Sequence, residues 1–322
     1  MAETMQGKGY GCLPSIDSIR VYDYANLPKK KLGLAPENVA EYKIPEDRMP
    51  RVLDQGSIGA CVAHAICSVL ESIHYTQTGE WIKLSPGWFY GHNRGEWSNG
   101  YGMVTSSAIE MSKQWGSVKT TMFNDYMEMP EMKKVVQARP DLEAYAEETA
   151  ITSFVKFNWA DKNKKWNEIK EAFLSYNLPM IAVSPSYFGE SHCIMIYGFN
   201  ENGKGGKELY FQNSWGESYS SDGRSNIPFS RVSEVYLLLD EEISLQFDDV
   251  PEDAWYYKNV LHMYEAGLVN GKEDNKFEPD APITRAEVCA IIDRLCEKID
   301  NKDDAMIKSI YDYVDRRNNI RR

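Results

Sequence analysis

The sequence predicts an α+β protein in which a helical half and an antiparallel-strand half enclose a cleft, followed by a small all-α unit. Three observations carry this expectation: helical periodicity from position 61, three strand-like runs between 180 and 213, and a helix-loop-helix pattern after Leu245. The 322 residues allow two or more domains, and a composition 43% hydrophobic and 12% aromatic is enough for a sizeable core.

In chain order, residues 1–50 form an arm of weak pattern, punctuated by loop-like stretches such as Leu27-Pro-Lys-Lys-Lys and Lys43-Ile-Pro-Glu-Asp. The arm is read as wrapping the following domain; the other placement lays Tyr10-Gly-Cys-Leu-Pro14 across the cleft as a short pro-segment that is later removed. Next comes Gln55-Gly-Ser-Ile-Gly-Ala-Cys61, and then Val62, Ala65, Ile66, Val69, Leu70 and Ile73 at spacings of three and four. That spacing gives a helix with one core-facing stripe, and Thr78-Gly79 supplies its stop. Further helices are expected over 102–115, 140–149 and 166–174. Strands are expected from Met180, from Ser191 to Gly198, and from Glu208 to Asn213.

Cys61 falls in the first turn of its helix, where free backbone N–H groups and the helix dipole favour an anion, so its thiol is expected to ionise below the free value of about 8.5. Gly56 and Gly59 permit the sharp turn that presents it, and the Gln55 amide can donate to a developing oxyanion. A nucleophilic thiolate needs a base and an orienting group. His192 at a strand start is the natural imidazolium partner. Asn213 can accept its other N–H, and Trp215 can shield that bond. The spacings are 131 residues (192 − 61) and 21 residues (213 − 192).

At these residues the chain resembles the papain-like cysteine proteases, over about residues 50 to 240, ending at Val235-Tyr-Leu-Leu-Leu. The resemblance implies a two-lobed fold with Cys61 as nucleophile, His192 as general base and acid, and Asn213 as the orienter of the histidine. Gln55 and the Cys61 backbone N–H would form the oxyanion hole. The family's Cys-Gly-Ser-Cys-Trp run reads Ile58-Gly-Ala-Cys61-Val62 here, so the first cysteine, used by many secreted members in a disulfide, is absent. Such simplified loops resemble the prokaryotic branch. The arm is too short for the long helical propeptide of many members. Pro185, Tyr187 and Phe188, in a short loop before His192, are candidates to line the cleft.

The net charge of −12 argues against nucleic acid as a partner. No run of 18 apolar residues suggests a membrane span, and the first ten residues lack the apolar core of a signal peptide. The six cysteines show no framework spacing and are read as reduced, with Cys67 and Cys193 as buried apolar residues and Cys289 and Cys296 on one helix. Neither C-x-x-C nor H-x-x-x-H occurs, so no metal or cofactor is expected. His64, His74, His92 and His262 have no constellation around them in the sequence.

After Leu245 the boxes Phe247-Asp-Asp-Val-Pro251, Trp255-Tyr256, Ala266-Gly-Leu-Val-Asn-Gly271, Phe277-Glu-Pro279 and Ile283-Thr-Arg-Ala-Glu287 follow in about 40 residues. Asp253 is read as capping a helix whose Trp255, Val260, Leu261 and Tyr264 face a core, with Gly267 ending it. Thr284 caps the next helix, with Glu287 at the capping-box position. Residues 245–300 resemble an S-layer homology domain. That family binds pyruvylated secondary polymers of Gram-positive cell walls, and the resemblance implies Arg285, with Trp255, as the glycan-binding residues. Wall-binding proteins usually carry three such domains and this chain has one, which leaves self-association or an assembly contact as alternatives. Residues 301–322 read as an amphipathic helix, Ala305 to Val314, with a basic tail.

The leading expectation is a cysteine endopeptidase of peptide substrates held at a bacterial surface or cell wall. The alternative is a structural or assembly protein of a phage or surface particle whose papain-like site is cryptic or used only for maturation. A cell-wall amidase or transpeptidase fits less well, because those folds generally place cysteine and histidine closer together and lack the Asn-Ser-Trp-Gly box.

Overall fold

A computed structural model of the chain describes residues 10–13, 22–24, 38–92, 102–124, 139–157, 162–241, 247–251, 253–265, 268–269, 271–272 and 276–296. The chain divides into two compact units, Met1–Ile243 and Ser244–Arg322.

The centre of the first unit is helix α1, Cys61–Thr78. Gly79 ends it in the left-handed region, at φ 74°, with its N–H returning to Tyr75 O, a conformation that costs a glycine little. The sequence pattern suggested one buried stripe, but every residue from Cys61 to Ile73 is buried. Polar members of this stretch are therefore obliged to find partners. Glu71, 1% exposed, accepts from Arg51 Nε at 3.2 Å and from the Leu84 N–H at 2.8 Å. The helix expected over 102–115 spans only Thr105–Met111, because Gly102 sits at φ 115° and Met103–Val104 form a short strand first. Over 140–149 the chain forms a 3-10 turn, Pro140–Leu142, running into a short helix, Glu143–Glu147. The next helix is longer than its pattern implied, Lys162–Tyr176.

Ten strands are assigned among the described residues: β1 Cys12–Leu13, β2 Tyr22–Asp23, β3 Glu41–Lys43, β4 Met103–Val104, β5 Ser153–Lys156, β6 Met180–Ser184, β7 His192–Gly203, β8 Gly206–Gln212, β9 Arg224–Pro228 and β10 Glu234–Leu239. The main sheet runs β2-β5-β10-β6-β7-β8-β9, with β3 added on β7. Its pairs are antiparallel except β2 with β5. Register places the site. Ser184 pairs with His192 across β6 and β7, and Met195 pairs with Gln212 across β7 and β8, so His192 opens one strand and Asn213 follows the next. A bridge between Asp54 and Trp215, with the Gln55 N–H donating to Ser214 O at 2.9 Å, ties the glutamine loop to the Asn-Ser-Trp box.

In the second unit, helices Tyr257–Glu265 and 285–296 are described, with Phe247, Val250, Val260, Tyr264 and Leu268 buried. Asp249 holds the 276–278 segment by accepting from the N–H groups of Phe277 (2.8 Å) and Glu278 (2.7 Å). Thr284 and Glu287 form a reciprocal capping box: the Glu287 N–H donates to Thr284 Oγ1 at 3.2 Å, and the Thr284 N–H to Glu287 Oε2 at 2.8 Å. Two expectations are corrected. Trp255 does not face the core but is 86% exposed, because it precedes the helix, which begins at Tyr257. For the same reason Asp253, four residues earlier, is not its N-cap. Gly267 and residues 301–322 lie outside the described residues. Among those described, no helix is long and apolar enough to cross a membrane, and no group of three or more potential metal ligands occurs.

Candidate active site

Cys61, His192 and Asn213 converge where the N-terminus of α1 meets the start of β7 and the end of β8. His192 Nε2–H donates to Asn213 Oδ1 at 2.8 Å, and the Ser214 N–H donates to the same oxygen at 2.8 Å. Two donors on one oxygen fix which way the amide faces. They also fix the imidazole tautomer, so that in the neutral ring Nδ1 is the basic nitrogen. That Nδ1 is buried and has no hydrogen-bond partner among the described residues. The Cys61 thiol lies beside the backbone N–H of Cys193, the residue after His192. Nδ1 is thus the proton acceptor on the cysteine side of the ring.

Trp215, fully buried, covers the bond to Asn213, with its ring centroid 4.8 Å from that of His192 and tilted by 32°. Phe188 closes another side at 4.8 Å, edge-on. Gln55, 1% exposed, donates from Nε2 to Ile58 O at 2.6 Å and accepts from Ser214 Oγ. Its side chain is thereby clamped beside the Cys61 turn. Gly56 takes φ 57° in that turn, as expected of a glycine there.

The thiol does not behave as the helix dipole alone suggests. Burial pushes the Cys61 thiol up, overriding the N–H groups of Cys193, Gly11 and Val62 that act to lower it. Burial likewise holds the His192 imidazolium down to about 4, against the stabilising bond to Asn213 and with His64 adding to the depression. Burial thus disfavours the charged form of both members of the pair.

The N-terminal arm adds to the packing over the site. Residues 10–13 lie in the cleft, the placement set against wrapping in the sequence reading. Tyr10 packs edge-on against His192 and Trp215, with centroids at 5.8 and 5.5 Å, and its hydroxyl donates to Phe188 O at 2.9 Å. The Gly11 carbonyl accepts from the Met103 N–H at 2.8 Å, and β1 pairs parallel to β4. A Cβ on Gly11 would lie 2.0 Å from Gly59 O, so only glycine fits at this point. Cys12 is buried, with its Sγ 3.2 Å from Thr105 Oγ1.

Tyr10 and Cys12 near the site belong to the segment that the alternative placement laid across the cleft, whereas His64 was not marked by sequence. The sequence offered one signal for His64, its place one turn after Cys61 on the same helix. Of the proposed lining residues, Phe188 packs directly on His192 and Tyr187 packs on Phe188. All six cysteines are free thiols, Cys289 and Cys296 being exposed on helix 285–296. In the second unit, Arg285 is exposed in the first turn of that helix. A cavity of about 460 Å³ there is lined by Lys272, Phe277, Pro282, Glu287 and Arg294 among others, but not by Arg285 or Trp255.

This architecture is the papain-like cysteine protease fold. Xylellain, a cysteine protease from Xylella fastidiosa, aligns over 75% of this chain and 100% of its own, at 14% identity and a TM-score of 0.57. The digestive procathepsin L2 proteinase of Tenebrio molitor larval midgut aligns over 74% of this chain and 80% of its own, at 14% identity and a TM-score of 0.51. An uncharacterized peptidase C1-like protein of Acanthamoeba polyphaga mimivirus is 23% identical over 71% of this chain and 75% of that protein. Residues 246–289 match the S-layer homology domain family. The chain is thus a unit of papain-like fold followed by a segment that matches the S-layer homology domain family. Outer membrane protein alpha of Thermotoga maritima is 38% identical over 56 residues, 17% of this chain and only 14% of that protein's length.

Proposed function

We propose that the chain is a cysteine endopeptidase, made latent by its own N-terminal arm and held at a bacterial surface through its S-layer homology domain. The observation that carries the reading is the His192–Asn213 bond under Trp215, with unpaired His192 Nδ1 on the side of Cys61. In catalysis His192 Nδ1 takes the Cys61 proton and the thiolate attacks the peptide carbonyl. Gln55 Nε2 and the Cys61 N–H stabilise the oxyanion, and His192 then protonates the leaving amine. Water, activated by the same imidazole, releases the acyl group from Cys61. Asn213 keeps the ring in the productive tautomer throughout.

The arm is an inhibitor rather than a substrate in this reading. The Cys61 thiol meets the Gly11 N–H, and in a trans peptide the oxygen of the Tyr10–Gly11 bond points the opposite way. With the arm displaced, water reaches the pair, its desolvation falls, and the thiolate–imidazolium form becomes accessible. Surface placement is supported by the family match at 246–289 and by the outer-membrane name of one relative. Within that domain Arg285 and the exposed Trp255 are the residues assigned to an anionic wall polymer, as a charged fork and a stacking face.

The deciding experiment treats the full chain with a casein or peptide substrate and an epoxide thiol reagent. Cys61→Ala is expected to abolish both hydrolysis and labelling while the fold persists. Normal labelling of that variant removes Cys61 from the mechanism. A second reading, an assembly protein whose site is used once or not at all, is favoured by the complete burial of Cys61 and His192. Cleavage of one partner polypeptide without turnover of free peptides would select it.

A further inference from the structure

Two thiols beside the candidate triad have no part in its chemistry. Cys12, on the arm, is 4% exposed, and Cys193, next to His192 on β7, is 1% exposed. Their side chains meet one hydroxyl: Thr105 Oγ1 lies 3.2 Å from Cys12 Sγ and also hydrogen-bonds the Cys193 thiol. The Ser191 hydroxyl, at the entry to β7, is a second partner of Cys12. Backbone contacts bring the same two segments together, since the N–H groups of Gly11 and Cys193 both meet the Cys61 thiol. Two sulfurs gathered around one oxygen is the arrangement from which a disulfide, whose bond is about 2.05 Å long, can close by side-chain rotation.

The other cysteines are held differently. Cys61 meets the arm through the Gly11 N–H, Cys67 is buried on α1, and Cys289 and Cys296 belong to the second unit. Burial pushes the Cys12 thiol up to about 11, and burial with the neighbouring Cys12 and Cys61 thiols raises Cys193 well above its ordinary range; Glu234 adds to both. Docked, both are disfavoured as thiolates, the form that undergoes exchange. Lifting the arm relieves Cys12 of its burial, so reaction starts there.

We propose that Cys12 and Cys193 are a redox pair, oxidised by a small-molecule disulfide to a Cys12–Cys193 bond that fastens the arm over the candidate site. With the arm lifted, the Cys12 thiolate attacks one sulfur of the reagent, and the first reagent thiolate leaves. On redocking, the Cys193 thiolate attacks the Cys12 sulfur of this mixed disulfide and expels the second. Two protein thiols are oxidised and the reagent disulfide is reduced to two thiols, which take up the two protons. The bond formation stands without the peptidase reading; its consequence, a latent arm made fast, rests on it.

The test equilibrates the full chain with oxidised glutathione, blocks remaining thiols with N-ethylmaleimide and maps unreduced peptides by mass spectrometry. Expected are a peptide joining Cys12 to Cys193, Cys61 recovered as a free thiol on unfolding, and amide exchange over residues 10–13 slowed at least about 30-fold. Dithiothreitol should reverse all of this, and Cys12→Ser, which keeps a hydroxyl toward Thr105, should show neither the link nor the slowing. Absence of the link at saturating oxidised glutathione overturns the proposal, as does a Cys12–Cys61 link in its place or unchanged exchange in the linked chain. If the reduced chain cleaves no peptide even when Tyr10→Ala loosens the arm, the peptidase reading fails, while the linked peptide and the exchange rates still decide the redox pair.

Discussion

The two units solve the problem of presenting a functional side chain in opposite ways. In the first, Cys61, His192 and Asn213 come from three elements and are 0–2% exposed, each fixed by packing and register. In the second, Arg285 is set by a local device, a capping box closed within four residues. Apolar residues Ile283, Val288, Ile292 and Leu295 there are 38–60% exposed. A buried site gains low dielectric and fixed geometry, but it must be opened before a substrate can enter. An exposed site needs no opening and gains little from its surroundings. Under the proposed function, the contrast confines latency to the first unit.

The largest expected effect tests the buried side of the comparison. Cys61→Ala should lower peptide hydrolysis by at least about 10⁴-fold, read as kcat/KM, with the melting temperature retained. The arm comes next. Gly11→Ala puts a methyl against Gly59 O, and Tyr10→Ala removes the ring from Trp215 and His192. Each should accelerate alkylation of Cys61, followed on its own peptide by mass spectrometry, by roughly tenfold or more, equivalent to a loss of about 1.4 kcal/mol of arm docking. Lower stability with unchanged alkylation would make the arm a simple wrapping segment.

A third prediction follows from the buried imidazole. Free in the unfolded chain, His192 takes a proton below about 6.5, the ordinary value, whereas in the folded latent chain it does so only near 4. Between these limits the unfolded state binds more protons, so stability is present above about 6.5 and falls as pH drops toward 4. Urea midpoints measured from pH 7 to 4 should show this slope in the parent chain and a shallower one, by up to about one proton, in His192→Gln. Equal slopes would show that His192 is not the group responsible. The smallest effect lies in the second unit: Thr284→Ala should cost about 1 kcal/mol of stability there, seen as loss of helicity by hydrogen exchange over 285–296, with peptidase activity unchanged.

Much of the candidate site was legible because the papain-like resemblance rests on boxes at fixed spacing, and Cys61, His192, Asn213, Gln55 and Trp215 each sit inside one. Fold class was legible for a related reason: periodicity marked α1 and the strands well before any partner was known. Three things escaped. α1 looked amphipathic but is buried through Ile73, since Glu71 and His64 find internal partners that a hydropathy pattern does not register. Trp255 looked like core because it is large and apolar, yet it lies before its helix rather than on it. The thiol's ionisation was expected from the helix dipole, a local effect, and was reversed by desolvation, a global one.

By itself the sequence indicated α1, the strands β6 to β8, the residues of the candidate triad and the segment that matches the S-layer homology family, because each depends on chemistry within a few residues or on fixed spacing. Only the tertiary structure decided that residues 10–13 pack against the candidate site, that burial raises the Cys61 thiol and depresses the His192 imidazolium, and that His64 and Asn213 line one cavity. Those facts depend on which distant surfaces exclude water from one another, and no local pattern in the chain encodes that.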